Sequence, residues 1–324
     1  MNKKHIFKNS LIGKKILVTG GLGFIGKNLI ESLPNSCEIT ILDIRKPKSY
    51  ELDWINKFNI KLITSDIVNE KWIDYVDNVD FIFHFAAKVG VDYVSNHRSE
   101  TVQTEIIGMY NVLKFIEKNL ASGHVFNKII FSSTSSVYGR INLIEESKES
   151  RKLKPREDYA KAKVVAESYL KSFCKKNNIK YSIFRLFNIY GAYQKKEMVV
   201  QKFIQLALKN SDIVVYDNGN QTRDFTYVED VVHILKLSIL NDIFNNDVFN
   251  IGRGVLVKIK DLALKIIELT NSESKIIYRP TPNNRKDFEV VNRVANNVKL
   301  KTKININFKN LNYGLKKICK FNNN

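Results

Sequence analysis

Residues 15–30 read KILVTGGLGFIGKNLI, and the order of residue types in that stretch specifies the architecture. Lys15 to Thr19 is a short β-branched, apolar run, the pattern of a buried strand. Gly20, Gly23 and Gly26 follow at once, with Phe24 and Ile25 among them, and an apolar helical pattern runs on behind. A strand that turns on glycine straight into a helix leaves the helix's first N–H groups unpaired at the turn, and the helix dipole adds partial positive charge there. Such a terminus stabilises an anion, and residues without side chains let a pyrophosphate approach the backbone closely.

Beyond that helix, Glu38 to Leu42 reads as a second strand, and Asp43 stands at its end, 17 residues after Gly26. A carboxylate there can accept the hydroxyls of an adenosine ribose. Strand, glycine turn, helix and second-strand acid together point to a bound dinucleotide rather than to a glycine-rich turn without a ligand. Asp43 favours NAD, because a carboxylate repels the 2′-phosphate of NADP. Arg45 and Lys46 lie just beyond and are able to accept that phosphate, so the preference rests on Asp43.

The alternation continues. Strands are expected at Lys61 to Thr64, Phe81 to Phe85, Lys128 to Ser132 and Tyr181 to Leu186, with helices after Gly23 and across Ser99 to Lys118 and Tyr159 to Lys176. Strands separated by amphipathic segments build a parallel sheet covered by helices. The expected class is therefore α/β: a Rossmann doubly wound parallel sheet with a smaller C-terminal α/β substrate-binding domain. The boundary falls between 1–187, which binds NAD, and 188–324, which binds substrate, with some later segments returning to the first part. Asp217 to Gln221 and Pro280 to Asn284 read as turns, and Phe321 to Asn324 as a frayed end.

Composition narrows the class. The chain has 324 residues, 44% of them apolar, which is ample for a core. Its net charge of +19 comes from Lys residues scattered without a dense basic block, which argues for compositional bias rather than nucleic-acid binding. Apolar runs break too soon to span a bilayer, and the N-terminus has no apolar stretch of a secretory signal, so a cytoplasmic protein without membrane contact is expected. Cys37, Cys174 and Cys319 are odd in number and widely spaced, so neither a disulfide framework nor a metal site is expected.

Tyr159 and Lys163 are four residues apart and share one face of a helix. A nearby ammonium, helped by a cationic nicotinamide, lowers a phenol's pKa from about 10, which makes Tyr159 the candidate base. In isolation that spacing is commonplace. It gains weight from residues 131–139, FSSTSSVYG, a hydroxyl-rich segment at the end of a buried strand, where open α/β sheets bind ligands. The same segment also reads as a plain Ser/Thr turn.

These stretches, with His84-Phe85-Ala86-Ala87, occur in the order seen in extended short-chain dehydrogenases/reductases of the NAD-dependent epimerase/dehydratase type, and the chain resembles that family over nearly its whole length. Residues 185–191 (RLFNIYG), 223–230 (RDFTYVED) and 250–252 (NIG) resemble its nucleotide-sugar-binding half. The resemblance implies that Tyr159 is the base and Lys163 its pKa-lowering, ribose-binding partner. It makes Thr134 the hydroxyl donor to the sugar, with Ser133 as second choice. It assigns Asp66 and Ile67 to adenine, Ala86 and Ala87 to the cofactor cleft, Asn188 to a substrate contact, Arg223 to the substrate diphosphate and Arg285 to a second phosphate contact. A homodimer is also implied, through the helices spanning Ser99 to Lys118 and Tyr159 to Lys176.

The two residues after Thr134 point to the reaction. Family 4,6-dehydratases resemble one another in an Asp-Glu pair there, and the decarboxylases usually keep a Glu at the second position; this chain has Ser135-Ser136. Hydroxyls with Tyr and Lys are sufficient for reversible oxidation at C4, so a UDP-hexose 4-epimerase is the leading expectation. A 4-ketoreductase, a UDP-glucuronate decarboxylase-like enzyme, and a non-catalytic NAD-binding or RNA-associated protein are the alternatives. Three residues depart from the family pattern: Glu105, where Asn is usual, Met109, where Thr is frequent, and Tyr193, often Arg.

Overall fold

The computed structural model describes residues 11–140, 147–282 and 290–322. Seven parallel strands form one sheet: β1 (Lys15–Thr19), β2 (Glu38–Asp43), β3 (Ile60–Thr64), β4 (Phe81–His84), β5 (Lys128–Thr134), β6 (Lys180–Leu186) and β11 (Asp247–Ile251). Their order is β11-β6-β5-β4-β1-β2-β3. The chain therefore runs one way from β1 to β3 and restarts on the other side at β4. That reversal opens a crevice at the strand ends between β1 and β4, the switch point where such sheets bind ligands. Short pairs lie outside the sheet: β7 (Ile189–Tyr190) with β10 (Thr226–Tyr227), β9 (Thr222–Arg223) with β12 (Val257–Lys258), and β8 (Ile213–Tyr216) with β13 (Ile276–Arg279).

Period-two alternation sends neighbouring side chains to opposite faces, and both faces are buried. Ile16, Val18, Ile39, Ile41, Phe83 and Phe184 join one core; Leu17, Leu42, Ile82, Ile129, Phe131 and Ile183 join the other. Helices α1 (Phe24–Ser32) and α7 (Val228–Leu240) cover the first face, and the same core continues into α6 (Val199–Leu208) and α8 (Ile259–Thr270), which pack on each other and on β8. Helices α4 (Arg98–Ala121) and α5 (Asp158–Asn177) cover the second through Met109, Val112, Ile116, Ala166 and Leu170. Each fully buried aliphatic or aromatic side chain contributes roughly 1.5–3 kcal/mol, which is why the strands read as apolar runs. Met109 lies in this core, fully buried, so its departure from the family pattern is a packing change.

The six strands expected from the sequence are present with ends shifted by no more than two residues. The seventh, β11, comes from beyond residue 188 and pairs with β6 from Asp247↔Ser182 to Ile251↔Leu186. Its Asn250 is a buried tie, accepting from the Tyr138 hydroxyl at 2.8 Å and donating to the Ser147 and Asn296 carbonyls. Residues 217–221 form the expected turn; of 280–284, residues 280–282 have no regular secondary structure and Thr281 donates to Asp217 at 3.0 and 2.7 Å, whereas 283 and 284, like Arg285, lie outside the described residues.

Candidate active site

The glycine turn is shaped by contact as well as by flexibility. Gly20 has φ +68°, and a Cβ there would come within 2.8 Å of the Ala86 nitrogen on the loop after β4. At Gly26 a Cβ would meet the Gly21 Cα at 2.7 Å, so the turn and the first helical turn pack backbone to backbone. Helix α1 begins after Gly23 with no side-chain cap and no acid in its first turn. The Phe24 and Ile25 end of the helix thus offers uncapped N–H groups to an anion. Asp43 ends β2 beside it, accepting from the Leu22 and Arg45 amides, both at 3.0 Å.

Further round the crevice, Asp66 accepts from the Val68 amide at 3.0 Å, and Ile67 is buried against Gly108, where a Cβ would approach Ile67 Cγ2 to 2.9 Å. Thr19 Oγ1 accepts from the Phe85 and Ala86 amides and lies 2.7 Å from His84 Nδ1. Ala86 and Ala87 are only partly buried, at the crevice edge. An uncapped helix end, a cradle that side chains would fill and a carboxylate at the ribose position all fit NAD. Arg45, which the sequence left open as a 2′-phosphate acceptor, is bonded through Nη1 and Nη2 to Glu51 at 2.6 and 3.0 Å. Burial alone would raise the Glu51 carboxyl, but hydrogen bonds from Arg45 and Lys27 outweigh it and hold it at about 2.

On the other side of the crevice, α5 packs on β5 and on the short 3-10 turn Ser135–Tyr138. Lys163 is buried, donates to the Ser132 carbonyl at 2.9 Å and lies 2.8 Å from Glu105 Oε2 on α4. Its ammonium stands 4.6 Å from the Phe131 ring centre and 5.8 Å from that of Tyr159. Thr134 Oγ1 accepts from the Ser136 amide at 3.2 Å. Helix, strand end and turn thereby bring Thr134, Tyr159 and Lys163 into one region.

Two side chains in this region have surroundings that the sequence does not show. In the protein without its cofactor, burial first, then Glu105 and Glu157, push the Tyr159 phenol above the ordinary tyrosine range. Lys163, the cation beside the phenol, faces the Glu105 carboxyl 2.8 Å away. Ser133, named as an alternative sugar contact, is buried with its hydroxyl donating to Glu167 Oε1 at 2.6 Å. Glu167 is also held by Arg185 at 2.7 and 3.0 Å, so Ser133 belongs to a buried network behind the strand.

Asn188 takes φ +24°, and its Oδ1 is buried without a hydrogen-bond partner among the described residues. A buried acceptor left open is costly unless a ligand supplies the donor. Arg223, on β9, donates through Nη1 to the Thr222 and Val290 carbonyls, both at 2.8 Å, which fixes its guanidinium. Tyr193 gives its hydroxyl to Glu31 on α1 at 2.7 Å and sets its ring against Phe321, so its side chain serves packing between α1 and the C-terminal helix α10 (Leu311–Asn322). Arg293, which no sequence motif singles out, donates to Ser136 Oγ at 2.9 Å. Among the described residues no group of three His, Cys, Asp or Glu could hold a metal ion, and no helix is long and apolar enough to cross a membrane.

Comparison with known proteins places the chain in a family. The model of the NAD dependent epimerase/dehydratase family matches residues 16–252. The chain is 33% identical over 277 residues to a UDP-N-acetyl-alpha-D-glucosaminuronate decarboxylase of Bacillus cytotoxicus, covering 82% of this chain and 84% of that protein. It is 32% identical over 275 residues to a dTDP-D-glucose 4,6-dehydratase of Homo sapiens, covering 81% and 77%. A UDP-glucose 4-epimerase of Thermotoga maritima, solved with UDP-glucose, superposes with a TM-score of 0.85 at 28% identity, covering 95% and 98%. The chain belongs to the NAD-dependent epimerase/dehydratase family, and its cofactor is NAD.

Proposed function

We propose that the protein is a nucleotide-diphosphate-sugar 4-epimerase acting on a UDP-hexose. The observation that carries the reading is the segment after Thr134: Ser135 is buried and Ser136 Oγ accepts from Arg293, so no carboxylate follows Thr134 where acid–base work at C5 and C6 would need one. Arg223, oriented by two carbonyls, grips the diphosphate in a planar fork. Asn188 Oδ1, buried and unpaired among the described residues, accepts from the sugar. Thr134 directs its hydroxyl to the C4 oxygen, and the Tyr159 phenolate oxygen removes the C4 hydroxyl proton and later returns it. NAD, when bound, supplies the hydride acceptor and donor for C4. Between those events the 4-keto hexose turns while the nucleotide stays held, so binding energy far from C4 serves the chemistry.

The test incubates the purified protein with a panel of UDP- and dTDP-sugars and resolves products by NMR. C4-inverted product without net NADH use supports the reading. Net NADH consumption indicates a 4-ketoreductase, and carbon dioxide release from a nucleotide hexuronic acid a decarboxylase. We also propose a homodimer through α4 and α5, whose outer faces expose Ile107, Tyr110, Val165 and Tyr169. A cytoplasmic setting is proposed too, in keeping with three buried free cysteines.

A further inference from the structure

Glu105 occupies an unusual place for a carboxylate. It lies on α4 with no solvent exposure, its Oε2 is 2.8 Å from Lys163 Nζ, and neither carboxylate oxygen has a well-aligned hydrogen-bond partner among the described residues; burial raises its carboxyl, and the Lys163 ammonium opposes that rise. Burying a carboxylate costs several kcal/mol unless a partner compensates, and Lys163 is the cation that does so. Lys163 is itself anchored on its other side by the Ser132 carbonyl at 2.9 Å. We propose that Glu105 is a positioning residue that pins the Lys163 ammonium between α4 and β5 and cancels its field at Tyr159.

The other groups around Tyr159 sharpen the consequence. His84 on β4 is buried and neutral near pH 7, since burial and then Lys163 push its imidazole down to about 3. Glu157, just before α5, adds negative charge at Tyr159, with Arg293 and Arg156 acting on Glu157 in turn. Among the described residues Lys163 is the cation set beside the phenol, at 5.8 Å from its ring centre, and Glu105 is the carboxylate it faces. Positive charge that favours the phenolate must then come from the oxidised, cationic cofactor. Proton removal from the sugar is thereby tied to NAD being present in the form that can oxidise C4. This rests on Tyr159 being the base of the proposed reaction.

The experiment follows phenolate absorbance against pH in the purified protein without added cofactor or sugar. Each variant is read against the same variant carrying Tyr159→Phe, which isolates the Tyr159 signal. Glu105→Gln keeps the shape and an acceptor for Lys163 but removes the negative charge. Tyr159 is then expected to ionise at a pH lower by about one unit or more, a tenfold change in its equilibrium. An unmoved titration, or one moved upward, overturns the proposal. Lys163→Met is the second variant and guards against misfolding of the first. A buried Glu105 left without its cation takes up a proton, so the net charge beside Tyr159 hardly changes and its titration should stay within about half a unit. A clear upward shift would show that Lys163 acts unbalanced and also overturns the proposal. Neither titration requires epimerisation, so a failed product assay would count against the reaction and leave the role of Glu105 to this test.

Discussion

The Arg45 guanidinium and the Glu51 carboxylate meet through two hydrogen bonds, Nη1 to Oε2 at 2.6 Å and Nη2 to Oε1 at 3.0 Å. Lys27 on α1 joins the same carboxylate. One buried acid therefore restrains both Arg45 and Lys27 beside the Asp43 end of the crevice.

Glu51→Gln should release Arg45 toward a 2′-phosphate. Calorimetry with both cofactors is expected to show NADP binding gaining at least about fivefold relative to NAD, about 1 kcal/mol. Asp43→Ala should weaken NAD by about tenfold and leave nucleotide-sugar binding nearly unchanged, since the two ligands use different parts of the cleft. Equal loss of both ligands would count against the assignment.

Glu51 also predicts a pH effect on stability. Its carboxyl sits at about 2 in the folded protein, against about 4.3 in an unfolded chain. A depressed acid stabilises the fold above its unfolded pKa and loses that contribution as pH falls toward the folded value. Denaturant melts should show Glu51→Gln less stable than the parent by about 3 kcal/mol at pH 7. The gap should narrow from about pH 4.5 downward and close near pH 2. A gap that is constant across this range would remove the ion pair as its cause.

Tyr159→Phe keeps the ring and deletes the proton acceptor. If Tyr159 takes the C4 proton, kcat for 4-epimerisation should fall by about 10²-fold or more while KM changes little. Near-normal turnover would exclude this residue as the base.

The outer faces of α4 and α5 expose Tyr110 and Tyr169, at 56% and 54%. Introducing charge by Tyr110→Asp with Tyr169→Asp should shift a dimer to monomer in light scattering at micromolar protein, because an obligate interface core does not tolerate unpaired carboxylates. A parent protein that is already monomeric at that concentration would reject the dimer.

Much of the scaffold is legible in local pattern. The run from Lys15 through the glycines to Ile30, and Asp43 at the end of the next strand, are neighbours in sequence and in space, so residue type and spacing suffice to place a strand, a turn and an open helix end. Tyr159 and Lys163 share a helix face for the same reason. Strand β11 was not legible: its five residues include a polar Asn250, and its partner β6 lies more than sixty residues back. The charge pairing was hidden likewise. Glu105 meets Lys163 from another helix, Ser133 turns to Glu167, and Tyr193 reaches Glu31 across 162 residues. A motif names the groups that can carry chemistry, but the electrostatic state of each depends on charges within a few ångströms. Only tertiary packing decides which charges those are.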